Sequence, residues 1–264
     1  MSPKLTIGMA SYNNYQEVWF TVQALRMYQD LADTEILVVD NFGNDVLKNF
    51  IESWAHVRYI RYIDAQGTAI AKNQVFANAQ GEWVMCIDSH VLLFPGAVTR
   101  FKAWTAAHPD CKDLLHGPMV YDDLTSKADA FNDEWRGQMW GTWRGMADHF
   151  KDETVPYEIP MMGMGLFACR KDAWQGFNPA FRGFGGEEGY IHAKFRKAGH
   201  RALCLPWMKW NHHFRDGSGK GTPPFVPLLA DKINNYLIGF RELGLDTAPI
   251  YEHFGEATVK EFER

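Results

Sequence analysis

The sequence predicts an α/β fold: a mostly parallel β-sheet with helices on both faces. Three observations carry this. Over the first ninety of the 264 residues, short apolar runs alternate with segments of helical periodicity. Second, a helical segment separates each strand run from the next, which implies crossover connections, hence a parallel sheet. Third, the strand ends are polar in a concentrated way: Ala10-Ser11-Tyr12, Asp40-Asn41, Asp64 and Asp88-Ser89-His90. Three of these four ends carry a carboxylate, more than solvation of a loop needs. In such sheets ligands sit beyond the carboxyl ends of the strands.

Each element has its own reason. "KLTIGMAS" is a short apolar strand. Val18, Trp19, Val22, Leu25 and Arg26 fall at helical spacing within residues 16–29. "TEILVVDN" is a near-continuous apolar strand, and Leu47, Phe50, Ile51 and Trp54 share the next helical face. "VRYIRYI" is a third strand, "TAIAKNQVFANAQG" a helix closed by Gly81, and "EWVMCI" a fourth strand. Pro95 opens a helix with Val98, Phe101 and Trp104 inward. "LLHGPMVY" reads as one strand, and residues 122–160 are polar, Trp-rich and without a clear period. "MMGMGLFACR" is a glycine-punctuated loop and strand, and "GFGGEEGYIHAKFRKAG" a glycine-rich loop entering a helix. After a short strand, "NHHFR" is expected in a loop, and "LLADKINNYLIGFRELG" is an amphipathic helix.

Composition narrows the function. Apolar residues make up 46% of the chain, which excludes disorder. A formal net charge of -5 gives no global attraction to nucleic acid or membrane. Ten Trp, ten Tyr and eighteen Phe suit a sugar-handling surface, although most aromatics serve the core. Cys86, Cys111, Cys169 and Cys204 are scattered and form no CxxC, so they read as free thiols in a reducing compartment. No membrane-spanning run and no signal-peptide pattern is visible, and the expectation is a cytoplasmic protein.

Three stretches carry candidate chemistry. Asp88 and His90 lie two residues apart at a strand end, where extended backbone points both to one side. Gly185-Gly186-Glu187-Glu188 opens a helix, and Asn211-His212-His213-Phe214-Arg215 follows a short strand. A carboxylate and an imidazole that converge beyond a strand suit a divalent ion such as Mn²⁺ better than Ca²⁺. Taken alone, Asp88 and His90 also fit a strand-end cap with a surface histidine. Glycines beside Glu187 and Glu188 would let backbone approach a ligand closely.

Together these motifs, in this order, resemble the GT-A glycosyltransferases of family 2. They are especially similar to the catalytic domain of polypeptide N-acetylgalactosaminyltransferases. "DSH" matches that group's Asp-x-His, "GGEE" its Gly-Gly-Glu-Asn, "NHHFR" its Gly-His-x-Phe-Arg, and "MMGMGLFACRKDAW" its Gly-Gly-Leu-Phe segment. The resemblance covers roughly residues 4–216. It implies a GT-A fold, a Rossmann-like sheet with an acceptor half packed against it.

The resemblance also implies roles. Asp88, His90 and His212 would hold a divalent metal, with His213 at a variable position. Ala10, Ser11 and Tyr12 would wrap the base and ribose, and Asp40 would bond the uracil, though a helix-cap role fits Asp40 equally. Lys72 stands where the family has Arg, retaining a cation without the bidentate fork. A solvated helix face is the alternative for Lys72. Arg215 would contact the diphosphate. Glu187 and Glu188 would face the sugar and acceptor. Glu188 departs from the Asn of the retaining N-acetylgalactosaminyltransferases and falls where inverting enzymes place an Asp base, so both anomeric outcomes stay open. Capping of the following helix is the alternative for Glu188. Core packing is the default for Trp140, Trp143 and Trp207.

The expected reaction is metal-dependent transfer of a sugar from a nucleotide-diphosphate donor, a UDP-sugar first, to an acceptor hydroxyl on a saccharide, a protein or a hydroxymethylated DNA base. The expected organisation is one catalytic domain over residues 1–221, with a nucleotide-binding half (1–93), an acceptor and metal-completing half (94–221) and a helical tail (222–264). Two rivals remain at this level. A nucleotidyltransferase would show a glycine-rich basic loop after the first strand, which "ASYNNYQE" lacks. A non-catalytic nucleotide-sugar-binding module would keep its ligand when Asp88 is removed, whereas an enzyme would lose turnover.

Overall fold

The computed structural model describes residues 3–43, 45–64, 66–145, 153–213 and 226–263. In chain order the elements are β1 (Leu5–Ser11), α1 (Tyr15–Tyr28), β2 (Thr34–Asp40), α2 (Asp45–Ile51), β3 (Val57–Arg61), α3 (Thr68–Asn78), β4 (Trp83–Asp88) and β5 (Val91–Leu93). They continue with α4 (Ala97–Ala107), β6 (Leu114–His116), β7 (Met119–Val120), β8 (Lys127–Ala128), β9 (Ala130–Arg136), β10 (Met139–Arg144), β11 (Tyr157–Glu158) and β12 (Leu166–Arg170). The last are α5 (Glu187–Lys197), β13 (Ala202–Cys204), β14 (Trp210–His212), α6 (Leu229–Leu243), α7 (Ala248–Phe254) and α8 (Glu256–Phe262).

The main sheet has the order β11-β13-β6-β12-β4-β1-β2-β3. Strands β4, β1, β2 and β3 run parallel, and β12 enters antiparallel beside β4. Alternation along each strand feeds two cores. Ile36 and Val38 of β2, with Met85 and Ile87 of β4, pack on the face covered by α1, α2 and α4. Leu37, Val39, Val84 and Cys86 pack on the opposite face with α3 and α5. Helices therefore cover both faces, as the alternating pattern predicts. Asp88 continues the Val84/Cys86 side, so it meets α3.

The structure corrects the sequence reading in four places. "LLHGPMVY" is two strands, not one: β6 stays in the main sheet, and β7 joins a second sheet of order β5-β14-β7-β8. The break falls at Gly117-Pro118. A Cβ on Gly117 would lie 1.8 Å from the Met208 carbonyl oxygen, so two backbones pass here in near contact. His212 is the last residue of β14, not part of a loop, because β14 pairs with β5 and β7. Residues 130–144 form the β9–β10 hairpin with an irregularity between Trp140 and Thr142. In the α2 region Leu47 and Ile51 point inward, whereas Phe50 is exposed and Trp54 lies beyond the helix.

Gly117→Ala tests the close approach. Neither backbone moves without breaking β-pairing, so the cost is expected at about 3 kcal/mol. Urea denaturation followed by tryptophan fluorescence would measure it.

The C-terminal helices are packed onto the body. Asn235 of α6 donates to the carbonyls of Arg182 (2.8 Å) and Gly185 (2.9 Å), the loop that leads into α5. Ile233, Tyr236 and Leu237 of α6 form a third apolar cluster with Ile250 and Val259, and Trp135 and Trp140 of the hairpin pack against it. No described helix is long and apolar enough to cross a membrane.

Candidate active site

A cleft opens at the carboxyl ends of β1 and β4. Ala10, Ser11, Tyr12 and Asn41 line one end, Lys72, Asp88, His90 and His212 its floor, and Phe131, Trp140, Trp143, Glu187 and Glu188 the opposite wall. Most residues singled out in the sequence thus meet in one place. Arg215 lies outside the described residues.

The floor holds the polar cluster. One ligand atom from each of Asp88, His90 and His212 lies within 4.8 Å of the others. His90 Nε2 and His212 Nε2 are 3.1 Å apart, and His212 Nε2 is 4.0 Å from Asp88 Oδ2. β4 delivers Asp88, the turn into β5 delivers His90, and the β5–β14 pairing of Val91 with His212 brings the third residue across. Burial, then the neighbouring His90, push the His212 imidazole down to about 3, so it is neutral near pH 7 and has a lone pair to offer. Two imidazole nitrogens at this separation can share a proton in an N–H···N hydrogen bond or flank a cation. Adjacent ligands on an octahedral ion at about 2.1 Å stand about 3.0 Å apart, so the donor set fits a small divalent ion.

Neighbours brace two of these side chains. Lys72 Nζ lies 3.0 Å from Asp88 Oδ1 and donates to the Met164 carbonyl at 2.6 Å. Burial opposes the Asp88 charge, but the adjacent Lys72 ammonium outweighs it and holds the carboxyl below its usual value. Burial likewise opposes the Lys72 charge, and Asp88 reverses the effect. Lys72 is only 5% exposed, which rules out the solvated helix face. On the other side of the cluster, His90 Nδ1 lies 3.2 Å from Glu17 Oε2. Glu17 is a residue that the sequence reading missed, although Asn14-x-x-Glu17 has the spacing of a helix capping pair.

Asp40 is a correction. Its carboxylate is fully buried and accepts hydrogen bonds from Phe42 N (2.9 Å), Gly43 N (3.0 Å) and the Tyr59 hydroxyl (2.7 Å). It caps the turn into α2 and is not part of the cleft lining; Asn41 reaches the cleft instead. Ser11 Oγ, in contrast, is buried in the cleft wall without a hydrogen-bond partner among the described residues.

On the far wall the two glutamates differ. Glu187 is 3% exposed; it accepts from the Thr68 hydroxyl and from Gly185 N at 2.7 Å. It ties the start of α5 to the start of α3, which Thr68 N→Gly183 O (3.0 Å) reinforces. Glu188 is partly open to the cleft, and its backbone carbonyl accepts from His192 Nδ1 at 2.6 Å. Burial, then the Glu187 charge, push Glu188 up to about 7. Gly185 and Gly186 have φ of +115° and +93°, so the loop needs glycine there. Trp140 and Trp143 line the cleft; Trp207 is buried elsewhere.

Comparison with known proteins agrees with this geometry. The chain is 22% identical to human polypeptide N-acetylgalactosaminyltransferase 3 over 209 residues, 73% of this chain and 32% of that protein. It is 24% identical to mouse N-acetylgalactosaminyltransferase 7 over 216 residues, 72% of this chain and again 32% of the other. The chain thus spans about a third of the length of these curated relatives. Among solved structures, GalNAc-T7 with UDP, GalNAc and Mn²⁺ superposes with a TM-score of 0.70 at 20% identity, over 92% of this chain and 50% of that one. A mannosyltransferase from Pyrobaculum calidifontis with GDP-Man and Mn²⁺ gives 0.58 at 15% identity, over 96% and 70%. The profile of the family described as "Glycosyl transferase family 2" matches residues 6–174. With that match over more than half its length, and with this sheet, the chain belongs to glycosyl transferase family 2 and has the GT-A fold.

Proposed function

We propose that this chain transfers a hexosyl or N-acetylhexosaminyl group from a UDP-sugar to an acceptor hydroxyl, with Mn²⁺ or a similar divalent ion held by Asp88, His90 and His212. The observation that carries the reading is the convergence of those three side chains in a cleft that Glu188 also lines. Such an ion would neutralise the departing diphosphate as a Lewis acid. The structural relatives, which hold UDP or GDP-Man with Mn²⁺, support a nucleotide-diphosphate donor.

The chain's own residues do the rest. Ala10, Ser11 and Tyr12 receive the base and ribose, with the Ser11 hydroxyl ready to bond. Lys72 keeps Asp88 ionised and adds positive charge where the diphosphate leaves. Arg215 is a further candidate for that diphosphate. Glu187 holds the loop, so Glu188 presents its carboxylate to the acceptor. A carboxyl titrating near 7 suits a general base for a hydroxyl, which favours inversion at the anomeric carbon. Trp140 and Trp143 offer ring faces to an acceptor, and saccharide is the class they favour over protein or modified DNA. The four unpaired cysteines suit a reducing, cytoplasmic setting.

Many transferases slowly hydrolyse their donor without acceptor. Release of free nucleotide from a panel of UDP-, GDP-, dTDP- and CMP-sugars, with Mn²⁺ or EDTA, is expected to single out one UDP-sugar, in Mn²⁺ alone. Release that persists undiminished in EDTA would sink the metal-dependent mechanism.

A further inference from the structure

We infer that Glu17 is a positioning residue for His90, a role that rests on the metal reading of the Asp88/His90/His212 cluster. Glu17 occupies the third position of α1 and is tied into the helix cap: its N–H donates to Asn14 Oδ1 at 3.4 Å, and Asn14 Nδ2 donates back to its carboxylate. The cap fixes where the carboxylate stands. From there Oε2 reaches His90 Nδ1 at 3.2 Å, with both side chains less than one fifth exposed. Nδ1 makes no aligned hydrogen bond in this geometry, so Oε2 acts as an adjacent negative charge; a carboxylate can only accept, and that charge favours the His90 tautomer that carries its proton on Nδ1. The Nε2 lone pair is then turned toward His212 Nε2, 3.1 Å away, and into the cluster. Asp88 is braced as well, by the Lys72 ammonium. Helix α1 thus passes its cap geometry to a ligand that is 73 positions further along the chain.

A carboxylate behind a metal-bound histidine is worth 10- to 100-fold in metal affinity, whereas an ordinary cap residue contributes only to folding. The two roles separate experimentally. Mn²⁺ titrations, read as loss of the free-ion electron paramagnetic resonance signal, would be run on the wild type, Glu17→Ala, Glu17→Gln and Asn14→Ala. Glu17→Ala is expected to weaken Mn²⁺ binding by about 10- to 100-fold. Glu17→Gln, which keeps an acceptor oxygen without the charge, should fall between it and the wild type. Asn14→Ala should lower the melting temperature as Glu17→Ala does, yet lose clearly less Mn²⁺ affinity, because the carboxylate remains beside His90. Equal losses of affinity in Asn14→Ala and Glu17→Ala, or no loss in Glu17→Ala, would overturn the role.

A second readout needs no metal. Long-range ¹⁵N correlation spectra of the metal-free protein should show the His90 proton on Nδ1 in the wild type and its redistribution to Nε2 in Glu17→Ala. An Nε2-protonated His90 in the wild type contradicts the inference. A wild type that binds no Mn²⁺ but shows the Nδ1 tautomer removes the metal reading and leaves the Glu17–His90 contact standing.

Discussion

Replacing Asp88 with Asn is expected to lower turnover by about 10³-fold or more. An ion that offsets leaving-group charge contributes several kcal/mol to the transition state, and about 4 kcal/mol corresponds to a thousandfold. Asn keeps the shape of Asp88 and an oxygen to accept from Lys72, so the fold is retained while the anionic ligand is lost. Asp88→Ala is the harsher change. It leaves the Lys72 ammonium without its carboxylate, held by the Met164 carbonyl, and should also cost about 2 kcal/mol of stability, below the full penalty for a deeply buried pair because Asp88 is partly open. Donor hydrolysis rates with calorimetric Mn²⁺ titrations on both variants would measure this. Wild-type turnover in Asp88→Asn contradicts the assignment of Asp88 as a ligand.

Glu188→Gln is expected to reduce the maximal transfer rate by about 10²- to 10⁴-fold, the range for loss of a positioned general base, while donor binding changes little. The pH dependence gives the sharper test. A base must be deprotonated to act, so the wild-type rate should rise through pH 7, where burial and the Glu187 charge place Glu188. That limb belongs to the Glu187–Glu188 pair, because the two carboxyls interact. Glu188→Gln should flatten it. A variant that keeps both rate and limb would make Glu188 a helix-cap residue and remove the case for inversion. The same substitution leaves donor hydrolysis nearly intact if the Glu188 carboxylate acts on the acceptor hydroxyl rather than on the donor.

Much of this was legible because the relevant residues sit where the sequence pattern is regular. Strands β1, β2 and β4 are buried on both faces, so their apolar runs are unbroken, and the polar residues at their ends stand out. Asp88 and His90 flank a strand end, and two-residue spacing sufficed to pair them. What escaped was set by long-range contacts. His212 reads as a loop residue until β5 and β7 are known to flank it. Lys72 reads equally as a site cation or a solvated helix face, because the pattern of α3 does not show how it packs; in the fold that helix is buried from Ala69 through Lys72 and again at Val75 and Phe76. The β9–β10 hairpin leaves most of its residues partly buried or exposed, so they show no clean alternation to read. Asp40 looked like a ligand group because nothing in the sequence reveals the Tyr59 hydroxyl and two turn amides that its carboxylate caps. Glu17 did carry a signal, the capping spacing, but its second partner lies across the fold.

The central claim is that the Asp88/His90/His212 cluster binds a divalent ion on which donor binding depends. Isothermal titration of UDP into the wild-type protein tests it most directly, once with Mn²⁺ and once with EDTA, beside Asp88→Asn under the same conditions. The account predicts a saturable heat in Mn²⁺ that EDTA and the substitution each remove. UDP binding of equal strength in all samples would contradict it.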